Sequence, residues 1–251
     1  MNEPFSQEIA HLNDVIEECE NYLFVTRDAD LQRQALGGMR EAKVRASRQK
    51  QAAIDSGDNN FANLFLGFEC VFDCLASELM MWINLKEGNP DQAWDNLVAA
   101  QDSGVASVRA HSGFSHNSAH VQRLEEIERI VFPTQVFVSA GLIVKKQECS
   151  ICGAEYGECD HLAGRPYGGR FCSIIARDIT ANHVAVVEVP ADKRCRITSF
   201  STPEGTRNRL TWKIEPPQTE GEASIDSASE GALTCNAVIL TTGCKQGLKS
   251  A

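Results

Sequence analysis

No apolar run in this 251-residue chain approaches the ~20 residues that a membrane-crossing helix needs, so no membrane partner is expected. The first residues, Met1-Asn2-Glu3-Pro4-Phe5, lack the basic and apolar stretches of a secretory leader, and a cytoplasmic location is expected. Basic charge is scarce too. Against 34 Asp and Glu stand 24 Lys and Arg, a formal net charge of -10 that opposes bulk attraction to nucleic acid or anionic lipid. Recognisable catalytic patterns are also missing. There is no His-Glu-x-x-His, no paired-carboxylate motif and no Ser/His/Asp arrangement legible from order alone, although such groups assemble in space. Tyr167-Gly168-Gly169-Arg170 lacks the flanking strand, Lys and Ser/Thr of a phosphate loop and reads as a turn. A non-enzymatic role is therefore favoured.

Cysteine, by contrast, is plentiful. In a reducing compartment ten cysteines read as metal ligands and core fillers, not as disulfides. Cys149, Cys152, Cys159 and His161 fall within thirteen positions, Cys-Ser-Ile-Cys-Gly-Ala-Glu-Tyr-Gly-Glu-Cys-Asp-His. A Cys-x-x-Cys turn places two sulfurs on one edge of a tetrahedron, and Cys159 with His161 can supply the opposite edge. Gly153 suits the positive φ of such a knuckle. Cys172, eleven residues after His161, is a rival fourth ligand, and Cys195 a more distant reserve. Five candidates for four places point to a closed, structural Zn2+ site rather than an open catalytic one. Buried free thiols, or a redox Cys-x-x-Cys at a helix N-terminus, are the competing readings.

The segment Cys149 to Cys172 resembles a cysteine/histidine zinc-knuckle module. Together with Val186-Val187-Glu188-Val189-Pro190-Ala191-Asp192 it is similar to short segments of phage-type head-assembly proteins. That likeness covers a minor part of the chain and assigns no residue a role.

Before the knuckle the pattern is helical. Ile9, Leu12, Val15, Ile16, Cys19 and Leu23 mark one face of a helix over 5–24. Asp28 or Asp30 caps a second, over about 31–55, and Ser56-Gly57-Asp58-Asn59 stops it and caps the next. The third, over about 61–85, has the widest apolar face, including Phe65, Phe68, Phe72, Leu79 and Trp82, and is expected at the centre of the body. Cys70 and Cys74 on it read as small core thiols. Pro90 begins a fourth helix, and the paired helices around Gly88-Asn89-Pro90 look tetratricopeptide-like; a solenoid and a plain bundle both fit. His116 and His120 are spaced i, i+4, but no acid or thiol is adjacent in sequence, so the stretch from His111 to His120 reads as a solvated connector. A fifth helix runs over about 118–131, ended by Pro133.

After Pro133 the composition turns β-branched. Short strands are expected over 132–144, then 183–190, 195–200 and 209–214, with one apolar run near 237–240 after a Pro-, Glu- and Ser-rich stretch. The expected class is α+β: an N-terminal all-α helical bundle over 1–134, a zinc-knuckle and β-rich domain over 135–215, and a linker and tail over 216–251. The leading function is a zinc-binding interaction module whose partner is another protein. Arg165, Arg170, Arg194 and Arg196 lie in the mildly basic stretch 165–213 and are candidate partner-binding residues. The same stretch supports a nucleic-acid-associated alternative, and a zinc hydrolase is a third.

Overall fold

The computed structural model describes residues 3–216 and 234–239. It has the expected α+β class. Five α-helices precede a set of small antiparallel sheets. The expected linker over 216–230 lies, apart from its first residue, outside the described residues, as does the end of the tail.

Packing divides the chain into two compact units. One comprises Met1–Glu128 with Lys145–Asp178, the other Arg129–Val144 with Ile179–Ala251. The knuckle thus packs with the helices, whereas the sequence reading grouped it with the later strands. The reason is long-range: Gly169 N–H donates to Asn63 Oδ1 at 2.9 Å, and Gly169 lies against the side chains of Lys50 and Ile54.

In the first unit α1 (Glu3–Glu20), α2 (Ala29–Asp55), α3 (Asn59–Lys86) and α4 (Pro90–Ala110) form a bundle with α3 between α2 and α4. The caps are those the sequence marks. Asp28 Oδ1 accepts from the N–H groups of Asp30 and Leu31, and Asp58 Oδ1 from those of Asn60 and Phe61. Each such cap satisfies donors that a helix start leaves orphaned and contributes about 1 kcal/mol. Gly57, at φ 75°, makes the reversal between α2 and α3.

The centre of α3 is buried on nearly all sides. Phe65, Phe68, Phe72 and Leu79 have essentially no exposed surface, and each contributes roughly 1.5–3 kcal/mol by leaving water. Phe68 meets Phe114 edge-on with ring centroids 5.0 Å apart. Phe114 comes from a short 3-10 turn (Ser112–Phe114) in the stretch expected to be a solvated connector; it alone of that stretch is buried in the core, while its neighbours stay exposed or half-buried. One buried polar side chain closes the bundle end: Gln32 donates to the carbonyls of Tyr22 and Phe24 while its Oε1 accepts from Lys86 Nζ at 2.6 Å. The last helix, α5 (Asn117–Val131), follows directly.

Two of the β elements are longer than the sequence pattern suggests. β1 (Phe137–Cys149) and β4 (Ile174–Val187) pair as one extended ribbon, instead of ending near 144 and starting at 183. Between them β2 (Pro166–Tyr167) and β3 (Arg170–Phe171) form a hairpin turned by Gly168 and Gly169, both at positive φ, as the turn reading requires. In the second unit β5 (Ile197–Thr202), β6 (Gly205–Asn208), β7 (Ile214–Glu215) and β8 (Cys235–Ala237) make an antiparallel sheet in the order β7-β6-β5-β8. The expected strand over 209–214 is largely a turn. Asn208 Oδ1 accepts from the N–H groups of Leu210 and Thr211, a local bond that competes with ladder pairing, and Trp212 takes φ 58°.

Candidate metal centre

The end of β1 delivers Cys149, the turn after it delivers Cys152, and the following loop delivers Cys159 and His161. Their four ligand atoms lie within 4.8 Å of one another. Tetrahedral zinc–sulfur bonds of about 2.3 Å set sulfurs about 3.8 Å apart, so a small contraction closes this set on an ion.

Local backbone geometry shapes the knuckle. Cys149 N–H donates to Ala154 O and Gly153 N–H to Cys149 O, both at 2.8 Å, with Gly153 at φ 75°. Ile151 N–H points to Cys149 Sγ at 3.4 Å. The loop that returns to His161 is held by two phenols: Tyr156 Oη accepts from Ala163 N–H, and Tyr167 Oη from Leu162 N–H. Tyr167 also stands edge-on to the His161 ring at 4.7 Å.

The electrostatics favour a cation. Burial opposes ionisation of Cys149, but N–H groups of Cys152 and Ile151 and the neighbouring Cys152 and Cys159 thiols outweigh it and bring its pKa down to about 6. Cys159 gains a backbone hydrogen bond from His161 that favours its thiolate, yet burial and the adjacent sulfurs raise its pKa. Crowded thiols that share one negative charge are the arrangement a divalent ion relieves. His161 Nδ1 is buried without a hydrogen-bond partner among the described residues, a lone pair or proton left unsatisfied unless a ligand meets it. The residues present fit a metal ion.

Cys172 stands beside this set. Its Sγ is 3.8 Å from Cys149 Sγ, but it is not among the four whose ligand atoms all lie within 4.8 Å of one another. Burial, then the Cys149 thiolate, raises its pKa. Cys195 is buried in the second unit.

The four candidate partner-binding arginines are not gathered in one unit. Arg165 and Arg170 are exposed in the first. In the second, Arg194 forms a fork with Asp192, Nε to Oδ1 at 2.9 Å and Nη2 to Oδ2 at 2.7 Å. Arg196 is 2% exposed, because its backbone is flanked on one side by Phe137 and on the other by Val238. A side chain so enclosed does not present itself to a partner.

His116 and His120 do not join a metal-ligand group among the described residues. His120 instead meets Glu78, a fully buried carboxylate on α3 that also contacts Arg123 and Trp82. Sequence reasoning missed this network, since Glu78 and His120 are far apart in the chain. The one available signal was a carboxylate at a position that continues the apolar face of α3.

The fold and the cluster define an α+β protein with a Cys/His group able to hold a metal ion. No known protein family, curated protein or solved structure matches the chain. Among the described residues no helix is long and apolar enough to cross a membrane.

Proposed function

We propose that this protein binds one structural zinc ion through Cys149, Cys152, Cys159 and His161 and serves as a non-catalytic interaction module for another protein. The observation that carries the metal reading is the approach of three thiols and one imidazole to within 4.8 Å. Zinc is favoured because borderline-soft thiolate and imidazole donors in a four-fold set suit it. Cys172 adjoins the set and takes the fourth place only if His161 does not.

Two observations support a protein partner. Val186 and Val189 are 69% and 88% exposed on and just after β4, a concentration of apolar surface that marks interaction sites. Of the four candidate arginines, Arg196 is enclosed and Arg194 is paired with Asp192, which removes half of that basic set from nucleic acid.

Elemental analysis of the purified protein tests the metal, with one zinc per chain expected. Cys149→Ser and Cys159→Ser lose it, while Cys172→Ser retains it and His161→Ala does not. Cobalt substitution then reads the ligands, and a spectrum showing a bound water overturns the closed site. For the interaction reading, a stoichiometric protein partner copurifies and is lost in Val186→Asp. A monomer that turns over a small substrate overturns it.

A further inference from the structure

The second unit contains an acid-free run. From Gly205 to Ile214 the sequence is Gly-Thr-Arg-Asn-Arg-Leu-Thr-Trp-Lys-Ile, which carries three basic residues and neither Asp nor Glu in a chain of formal net charge -10. Trp212 in this run stands apart from the other two tryptophans. Trp82 and Trp94 are 7% and 1% exposed, whereas Trp212 is 52% exposed. Its backbone is in the left-handed region, at φ 58°, where a bulky side chain is an outlier. Asn208 holds it there: Trp212 N–H donates to Asn208 O at 2.9 Å, and Asn208 N–H to Lys213 O at 3.0 Å. Strain that the surroundings enforce, here displaying a large aromatic ring to water, clusters at ligand sites.

A cation stands beside that ring. Arg207 Cζ lies over the Trp212 indole, 6.0 Å from its centroid, and Phe200 meets the ring edge-on at 6.4 Å. Pairing across the sheet sets Ile214, Arg207 and Phe200 in one row, and residues directly opposite share a face. Arg209 continues the same register, its N–H donating to Thr198 O at 2.8 Å, so strand alternation places it on that face too. Among the described residues the Arg207 side chain makes no hydrogen bond or ion pair. The Arg209 guanidinium is bonded through Nη2 to a neutral acceptor, Thr134 O, at 3.0 Å. Two positive charges on one sheet face thus lack a carboxylate partner among the described residues, and an anion complements them.

We infer that this face binds one unpaired nucleotide, its base stacked on the exposed part of Trp212 and its phosphate paired with Arg207. An indole accepts any base, since every base has a π-face, and a guanidinium fork matches phosphate oxygens. Arg209 adds a second positive charge on the same side. An acidic side chain would answer the charge of Arg207 and leave the strained, exposed ring unused. The nucleotide is either free or part of a single strand, two sources that share this chemistry. None of Arg165, Arg170, Arg194 and Arg196 takes part, and the inference rests on neither the metal nor the protein partner.

The test uses the full-length chain with adenosine 5′-monophosphate, with adenosine, which lacks the phosphate, and with ribose 5-phosphate, which lacks the base. The readout is the indole N–H resonance of Trp212, told apart from those of the buried Trp82 and Trp94 by its loss in Trp212→Leu. A saturable shift with the monophosphate is expected, and ribose 5-phosphate binds roughly fivefold or more weakly for want of a stacked base. Arg207→Gln lowers the affinity for the monophosphate to that of adenosine and leaves adenosine unchanged. On the unaltered chain, a monophosphate no tighter than ribose 5-phosphate overturns stacking on Trp212, and one no tighter than adenosine overturns recognition of the phosphate. Neither comparison needs a variant. Absence of a saturable shift with all three overturns the site, and an unchanged monophosphate affinity in Arg207→Gln removes Arg207 from it. An adenylate octamer separates the sources. If the ligand is a strand, the octamer binds more tightly than its several registers alone explain, and Arg207→Gln reduces its slope of log affinity against log salt by about 0.7; an octamer no tighter than those registers explain assigns the site to the free nucleotide.

Discussion

Glu78 shows how one residue's setting decides the outcome of its removal. The carboxylate has no exposed surface, whereas the Arg123 side chain is 37% exposed. Replacing Arg123 with methionine strands a charge in the interior, a loss on the order of 3 kcal/mol. Replacing Glu78 with leucine leaves a guanidinium that can turn to water, and packing of a similar volume offsets much of the lost pairing. Urea unfolding of the two variants is expected to show the arginine change as clearly the more destabilising; the reverse order would mean that Arg123 is the less solvated partner. The sequence offered little warning of this pair. Acid and base lie forty-five residues apart, on α3 and α5, and only the packing of those helices joins them. Cys149, Cys152, Cys159 and His161 were legible for the opposite reason: their spacing is local, and ligand chemistry restricts residue types severely.

At the scale of elements, glycines on two helices separate intrinsic preference from packing. Gly37 and Gly38 lie on the exposed face of α2, where an added Cβ meets nothing within 4 Å. Gly37→Ala is therefore expected to stabilise by about 0.5–1 kcal/mol, through a lower entropy of the unfolded chain. Gly67 on α3 behaves otherwise. A Cβ there comes 2.1 Å from Phe114 Cε2, inside a ring already packed on Phe68, so Gly67→Ala is expected to cost about 1–3 kcal/mol by overpacking. Thermal unfolding of both variants checks the contrast, and a stabilised Gly67→Ala would show that Phe114 yields freely. Helices in this chain were readable because periodicity and caps such as Asp28 and Asp58 are written locally. Strand lengths were not. β1 continues through Lys145-Lys146-Gln147, which look like loop residues, because β4 supplies the pairing that their composition does not announce. Asn208 shows the converse, ending a run of strand-like residues with its own side chain.

On the scale of the whole molecule, what the sequence left unstated is the company each segment keeps. The knuckle was expected to order the strands that follow it, yet the helices supply its seat through Asn63, Lys50 and Ile54. Binding energy at a structural zinc is folding energy, but only for residues that depend on the ion for their contacts. In α3 the hydrophobic contacts of Phe65, Phe68 and Leu79 owe nothing to a metal, and the segment from Ser150 to Ser173 has short strands and few buried side chains of its own. Chelation of the proposed zinc is therefore expected to separate the two. Amide exchange should accelerate by orders of magnitude across 150–173, including Gly169, while the interior amides of α3 keep their protection. The same experiment on Asn63→Ala should loosen Gly169 without releasing metal, since the bond it removes holds the hairpin to the helix and not the ligands to the ion. If chelation instead unprotects α3 as fully as the knuckle, the ion stabilises the helical core itself and the division of labour argued from these contacts fails.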